Sequence, residues 1–372
     1  MGARRLRRKI PASALLAAAA AFAEPAGAEA PRDPLAGLRT PPSPPPADAP
    51  RLSPLLVGAS GKAVATPADW KERRAEIEAR WRSFLGELPA ERVPLELEVL
   101  EAEVVGGEGR PGFSRKRVRY RIEPGVTADG YLLEPRGGLA DGATRPAAVV
   151  FHATTPAQAK QPAGLEPSRP ELAIGVHLAE RGFVVLCPRC AIFDEGADYA
   201  GNVAKVRARH PSWKGMTRMV FDAIRAADVL ELLPHVDRSR LAAIGHSLGA
   251  KEALYAAAFD PRYRAAVFSE GGIGLAFSNW DAVWYLGPEI REPGFPLEHH
   301  ELIALIAPRA FLLLAGDSAD DARSWSFIEA ALPVYRILGA EERLGWVRHG
   351  DGHRYSPRAR AAAEAFIEEW TR

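Results

Sequence analysis

Cysteine is nearly absent from the sequence. Cys187 and Cys190 are the only two in 372 residues, and both lie in the stretch LCPRC. A disulfide-built fold is therefore excluded, and two thiols alone do not make a zinc site. Their spacing suggests a redox pair, but CPRC closes an apolar strand here instead of opening a helix, which argues against one. Charge of one sign is also missing: 48 Lys and Arg stand against 47 Asp and Glu, for a net charge of +1. That balance gives no electrostatic case for nucleic acid or a membrane surface as partner. No apolar run is long enough to span a bilayer well. The nearest is PASALLAAAAAFAEP, residues 11–25.

That short run follows MGARRLRRKI, whose basic residues include two Arg pairs, and precedes two A-x-A sites, Ala26-Gly27-Ala28 and Ala28-Glu29-Ala30. The order basic, apolar, small is that of an export signal over 1–30. The expected location is periplasmic or extracellular, and the paired arginines hint at a Tat-type route. No cysteine lies near the cleavage sites, so no lipid anchor is expected in the mature chain. Export would also permit a disulfide between Cys187 and Cys190. Residues 31–55 then read as a Pro-rich disordered linker, with nine prolines over 31–54, including PPSPPP. A single domain is expected over 56–372, a length that is ample for one large core.

The domain opens on TPADWKERRAEIEARWRSFLGELP. Thr66 suits an N-cap, Pro67 the first helical position, and Asp69 the reciprocal acid of a capping box. Trp70, Ile77, Trp81, Phe84 and Leu88 recur at helical spacing, so these rings read as packing. Residues 95–105, 116–123 and 127–135 carry the alternation and β-branched content of leading antiparallel strands. The strands that follow are almost wholly apolar: 147–152, 183–188, 241–245, 265–270 and 310–316, with a short one at LGWVRH. Helical stretches separate them. Such a pattern predicts an α/β fold with a mostly parallel sheet and helices on both faces.

In such sheets functional groups gather beyond the carboxyl ends of the strands. LAAIG, GHSLG and AKEALYAAAF, residues 241–259, read as strand, sharp turn and helix, with Ser247 at the turn. This is the context of a nucleophile elbow. The glycines admit the sharp turn, and the helix N-terminus favours a developing oxyanion. The serine needs a base, which in this chain order comes last. RHGDGHRYSP offers His349 and His353, and His353 is preferred because it lies inside the Gly-flanked loop. The acid has several candidates. Asp320 is the first choice in the turn after strand 310–316, with Asp317 and Asp321 as alternatives, two of the three being expected to cap the next helix. Glu270, closing strand 265–270 before two glycines, is a second position. Oxyanion donors are expected from the backbone of Leu248 and from the loop after strand 147–152, at Ala153 or Thr154. His152 reads as structural.

With these residues in place, the chain from about 95 to 372 resembles the α/β-hydrolase superfamily. The FHATT loop and strand-end Asp are shared with the dienelactone hydrolase and acetyl xylan esterase-like group. Lys251, four residues after Ser247, together with Glu270, EGGIGLAFSNW with Trp280, and HELIALIAPR, resembles the glucuronoyl esterases. Leu248 stands where those enzymes have Arg, and Gly249 comes one position earlier than theirs. The resemblance implies a secreted serine carboxylic-ester hydrolase without metal or organic cofactor, acting on a carbohydrate-linked ester of acetyl or glucuronoyl type. It implies substrate contacts at Lys251, with Trp280 and Trp284 as sugar-facing rings; the plainer alternatives are a paired first-turn lysine and a loop anchored to the core. The alternative activities are lactone, dienelactone or peptide hydrolysis on the same triad, or a catalytically inactive binding module. The expected partner is a small-molecule or polysaccharide ester.

Overall fold

The computed structural model describes residues 35–372 except 36, 59, 108, 109, 139, 141 and 195–197. The export signal expected over 1–30 lies outside them. Nine strands form one sheet in the order β1-β2-β3-β5-β4-β6-β7-β8-β9. β1 (Glu98–Gly107), β2 (Arg110–Glu123) and β3 (Val126–Pro135) are antiparallel, and β3 meets β5 (Val184–Pro188) antiparallel as well. From β5 onward the sheet is parallel: β4 (Arg145–Phe151), β6 (Val236–His246), β7 (Tyr263–Ser269), β8 (Ala310–Ala315) and β9 (Leu344–Arg348). Every residue of β5, β7 and β8 except Arg264 is buried, as a strand covered on both faces requires. The expected α/β architecture is therefore the observed one.

The two faces carry separate cores. One gathers Trp81 of α1 (Pro67–Leu85), Val220 of α4 (Gly215–Leu232), Ala253 of α5 (Leu248–Phe259), Ile303 of α6 (His300–Ile306) and Phe327 of α7 (Trp325–Ile337). The other gathers Leu178 of α2 (Ile174–Glu180) and Phe366 of α8 (Pro357–Trp370). Cys190 packs in the first core and Cys187 in the second. The disulfide that export would have permitted is thus absent: both thiols are free and buried, and they serve opposite sides of the sheet. α1 forms with the expected capping box, Thr66 Oγ1 accepting from the Asp69 amide while Asp69 accepts from the Thr66 amide. α3 (Tyr199–Arg209) has no counterpart in the sequence reading.

The described part of the Pro-rich segment departs from the expected linker. The Leu38 carbonyl accepts the Trp346 amide at 2.6 Å, so the segment covers the outer edge of β9. The Ser53 carbonyl accepts from the His300 ring at 3.0 Å, and Leu55 is 3% exposed. Leucines spaced among the prolines supply the anchors that proline content alone concealed, and an otherwise open strand edge gains a partner.

Candidate active site

The turn between β6 and α5 can be built only from the residues present. Ser247 has φ 58° and ψ −116°, a left-handed conformation that side chains rarely adopt. A Cβ on Gly245 would lie 2.2 Å from the Gly249 carbonyl carbon, and one on Gly249 would lie 2.1 Å from the Phe151 oxygen. Both glycines are therefore needed for the strand, turn and helix to pack this closely. The Ser247 amide donates to the Ser269 carbonyl at 2.8 Å, pinning the turn to β7. The side chain is half-buried at the carboxyl ends of the central strands. Strain held this firmly by its surroundings is what a nucleophile elbow stores.

His353 follows β9, and its Nδ1 lies 3.2 Å from Glu270 Oε2. A carboxylate on Nδ1 fixes the proton there and leaves Nε2 as the free base. Glu270 is wholly buried at the end of β7, with φ 54°. Its other hydrogen bonds come from the Gly316 amide and, at 3.0 Å, the Ala319 amide. Three donors thus satisfy its buried oxygens.

The first-choice acid is displaced by this arrangement. Asp320 is also fully buried, but it accepts from the Gly272 and Ile273 amides at 2.7 Å each and from Ser324 Oγ at 2.9 Å. Its carboxyl is turned to the loop after β7 and not to His353. Burial pushes its pKa up to about 7, helped by the nearby Glu270 charge. Of the alternatives, Asp317 pairs with Arg348 at 2.5 Å on the surface. Asp321 accepts the Arg323 amide at 2.8 Å, the capping role foreseen for members of this trio. His349 is turned to Asp351 at 3.2 Å, with its side chain wholly buried.

On the oxyanion side, the Leu248 amide is the first of α5, and its side chain is buried in the core. The Ala153 amide is already taken by Gln161 Oε1 at 3.2 Å, a contact that nothing in the sequence signalled. Thr154, the second candidate, is exposed in the same loop. His152 holds that loop from behind: its Nε2 accepts the Cys190 amide at 3.1 Å, so Nδ1 carries the proton and donates to the Ala153 carbonyl at 2.7 Å. Burial keeps it neutral, with a pKa near 4. It is structural, as read from the sequence.

Lys251 is 3% exposed, one turn into α5. Its Nζ donates to Ser278 Oγ at 2.9 Å and Asn279 Oδ1 at 3.0 Å, and lies 4.3 and 4.2 Å from the ring centres of Trp280 and Tyr285. Among the described residues no carboxylate stands within ion-pair distance of it, so the paired first-turn lysine is not what forms. Burial draws its pKa down to about 7, against a pull upward from Asp320 and Asp281. Trp280 is fully buried beneath it, its Nε1 donating to the Gly272 carbonyl at 2.7 Å. This ring is a floor for Lys251, not the exposed sugar platform expected. Trp284 is half-buried, edge-on to Tyr199 with ring centres 5.6 Å apart. Ser278 and Asn279 were missed as individuals; the only signal was their place in the aromatic run after the glycines.

Among the described residues no group of three or more His, Cys, Asp or Glu side chains is disposed to hold a metal ion. No helix among them is long and apolar enough to cross a membrane.

A parallel sheet with an elbow serine after its central strand and a histidine after its last is the plan of the α/β-hydrolase fold, and the chain has that fold. No family model matches the chain. It is similar to glucuronoyl esterases. It is 24% identical to a 4-O-methyl-glucuronoyl methylesterase of Wolfiporia cocos, over 93% of this chain and 86% of the other. It is 27% identical to carbohydrate esterase MZ0003, from an unknown prokaryotic organism, over 34% of each chain. Apart from the Wolfiporia cocos protein, the first relatives it matches are spanned over only a third to about half of their length. A glucuronoyl esterase of Solibacter usitatus shares its fold, with a TM-score of 0.71 and 18% identity over 87% of this chain and 98% of the other.

Proposed function

We propose that the chain is a serine carboxylic-ester hydrolase of carbohydrate-linked esters, exported to the periplasm or beyond. The observation that carries the reading is the strained Ser247 elbow together with a histidine whose Nδ1 faces a fully buried carboxylate. Ser247 Oγ attacks the ester carbonyl as His353 Nε2 takes its proton. Glu270 orients His353 and stabilises the imidazolium that forms. The amides of Leu248 and Thr154 receive the oxyanion, the latter because the Ala153 amide is occupied. His353 returns the proton to the departing alcohol, and a water activated by the same histidine releases the acyl group.

The similarity to glucuronoyl and carbohydrate esterases supports a sugar-bearing substrate. So does a buried ammonium presented on aromatic rings beside Ser278 and Asn279, a site able to donate hydrogen bonds to sugar hydroxyls or a uronate. The test is a hydrolysis panel of acetyl, feruloyl and methyl-glucuronate esters on wild type and Lys251→Ala. A selective loss on the uronate ester is expected. An unchanged uronate rate in Lys251→Ala refutes the substrate role of the lysine, and no hydrolysis of any ester by wild type refutes the activity.

A further inference from the structure

Two carboxylates near the site exchange loops. Glu270 belongs to the loop after β7, yet its hydrogen bonds come from the Gly316 and Ala319 amides of the loop after β8. Asp320 belongs to the loop after β8, yet its bonds come from the Gly272 and Ile273 amides of the loop after β7, at 2.7 Å each. Both side chains are fully buried. Backbone geometry on each loop is forced to match: Glu270, Gly272 and Asp317 all have positive φ, at 54°, 74° and 67°. The Asp317 amide turns back onto the Asp320 carbonyl at 2.9 Å, closing the second loop on itself. The outward carbonyls of the first loop are used as well. Gly272 accepts from Trp280 Nε1 at 2.7 Å and Ile273 from His299 Nδ1 at 2.6 Å. The same few residues therefore carry the acid that faces His353 and the ring that floors Lys251.

We infer that Asp320 is a positioning residue for the reaction: its carboxylate clasps the Gly272 and Ile273 amides, and so fixes both the Glu270 carboxylate against His353 and the Trp280 floor beneath Lys251. This rests on the reading of Ser247, Glu270 and His353 proposed above. A buried carboxylate without a counter-ion within ion-pair distance is costly to keep. A pair of amides aimed at one carboxylate, with the reciprocal pair aimed at the other, sets both loops to a fraction of an ångström, which is the tolerance catalytic geometry demands.

Asp320→Asn is isosteric but can accept at only one of its two terminal atoms, and it opposes an NH2 to the other amide. It is expected to lower kcat about tenfold or more on a small ester, in line with the cost of misplacing a catalytic group. Ser324→Ala, which leaves both amide bonds intact, is expected to stay within about threefold of wild type. The deciding comparison is the double variant with Glu270→Gln. If Asp320 acts by placing Glu270, the double variant is no slower than Glu270→Gln alone. Losses that multiply overturn the inference. Hydrogen exchange on the unmodified chain is a second measurement, independent of whether Asp320→Asn folds. The Gly272 and Ile273 amides are expected among the slowly exchanging group, and exchange at the rate of exposed loops overturns the clasp. Retained activity in Ser247→Ala would instead overturn the functional reading, and leaves the exchange result standing.

Discussion

Replacing Lys251 by Met is expected to stabilise the protein near neutral pH while impairing its action on uronate esters. An ordinary lysine titrates near 10.4, and Lys251 is drawn down to about 7 by burial. The unfolded chain then binds the proton more tightly than the folded one, a handicap of about 4 to 5 kcal/mol that is full below about pH 7 and vanishes as pH rises to about 10. Two rings at 4.3 and 4.2 Å oppose it, each contributing up to about 2 kcal/mol when desolvated. These attractions act on the charged lysine alone and offset part of the burial cost. Methionine keeps the stem and its contact with Trp280 and Tyr285 but has no charge to desolvate. Ser278 is only half-buried and Asn279 is exposed, so both can turn to water when Nζ is gone. Urea unfolding at pH 6, 8 and 10 is the assay. The variant is expected to gain on wild type as pH falls from 10 to about 7, by up to about 1.4 kcal/mol per pH unit, and to hold that gain at pH 6; taking the difference between the two proteins removes every group they share. A variant less stable than wild type by more than about 1 kcal/mol at all three values refutes the reasoning, because the lysine would then be a net structural contributor.

Ser247→Ala is expected to lower kcat by about 10⁴-fold or more and to abolish labelling by a fluorophosphonate probe; labelling that persists places the nucleophile elsewhere. Glu270→Ala is expected to cost about 10²- to 10⁴-fold in kcat, whereas Asp317→Ala and Asp321→Ala stay within about threefold, since those two carboxylates are spent on Arg348 and Arg323. A near-wild-type rate for Glu270→Ala refutes its place behind His353. His246, in the elbow, is kept neutral by burial, with its pKa lowered to about 3. A group depressed in this way contributes stability above its unfolded value near 6.5 and loses it as pH falls, by about 1.4 kcal/mol per pH unit. His246→Gln should therefore gain on wild type by about that slope between pH 6 and 4 in urea unfolding, and parallel curves would refute the assignment.

The sharp turn at Ser247 and the histidine that faces Glu270 were legible because each is local. A strand, a Gly-flanked turn and a helix are contiguous in sequence, and the last histidine loop follows the last strand. The acid was not legible by the same means. Glu270 and Asp320 both follow buried strands, both are followed or preceded by turn residues, and both are fully buried. Which of them faces His353 depends on how two loops cross, and that is decided by amide directions that no residue type announces. The preference for Asp320 placed the right residue in the right cluster with the wrong partner. Trp280 failed for a related reason. An aromatic residue beside a strand end suits a sugar platform and a core plug equally, and only the bond from its Nε1 to the Gly272 carbonyl separates the two. The Pro-rich segment failed by composition: a few leucines in 35–55 outweigh the prolines once an open strand edge is available.

Leu248 bears most directly on substrate choice. Where glucuronoyl esterases resembling this chain have an Arg, its side chain is buried in the core and offers the site only an amide. The oxyanion then depends on backbone donors, and positive charge at the site falls to Lys251 on the far side of Ser247's own helix turn. An amide hole is indifferent to what is attached to the acyl carbon, because it reads only the oxygen. On the proposed reading, discrimination must then come from whatever sugar hydroxyl or carboxylate Lys251, Ser278 and Asn279 can reach. If the proposed roles hold, selectivity rests on binding and not on transition-state charge, so changes around Lys251 should move KM between substrates while changes at the elbow move kcat for all of them alike.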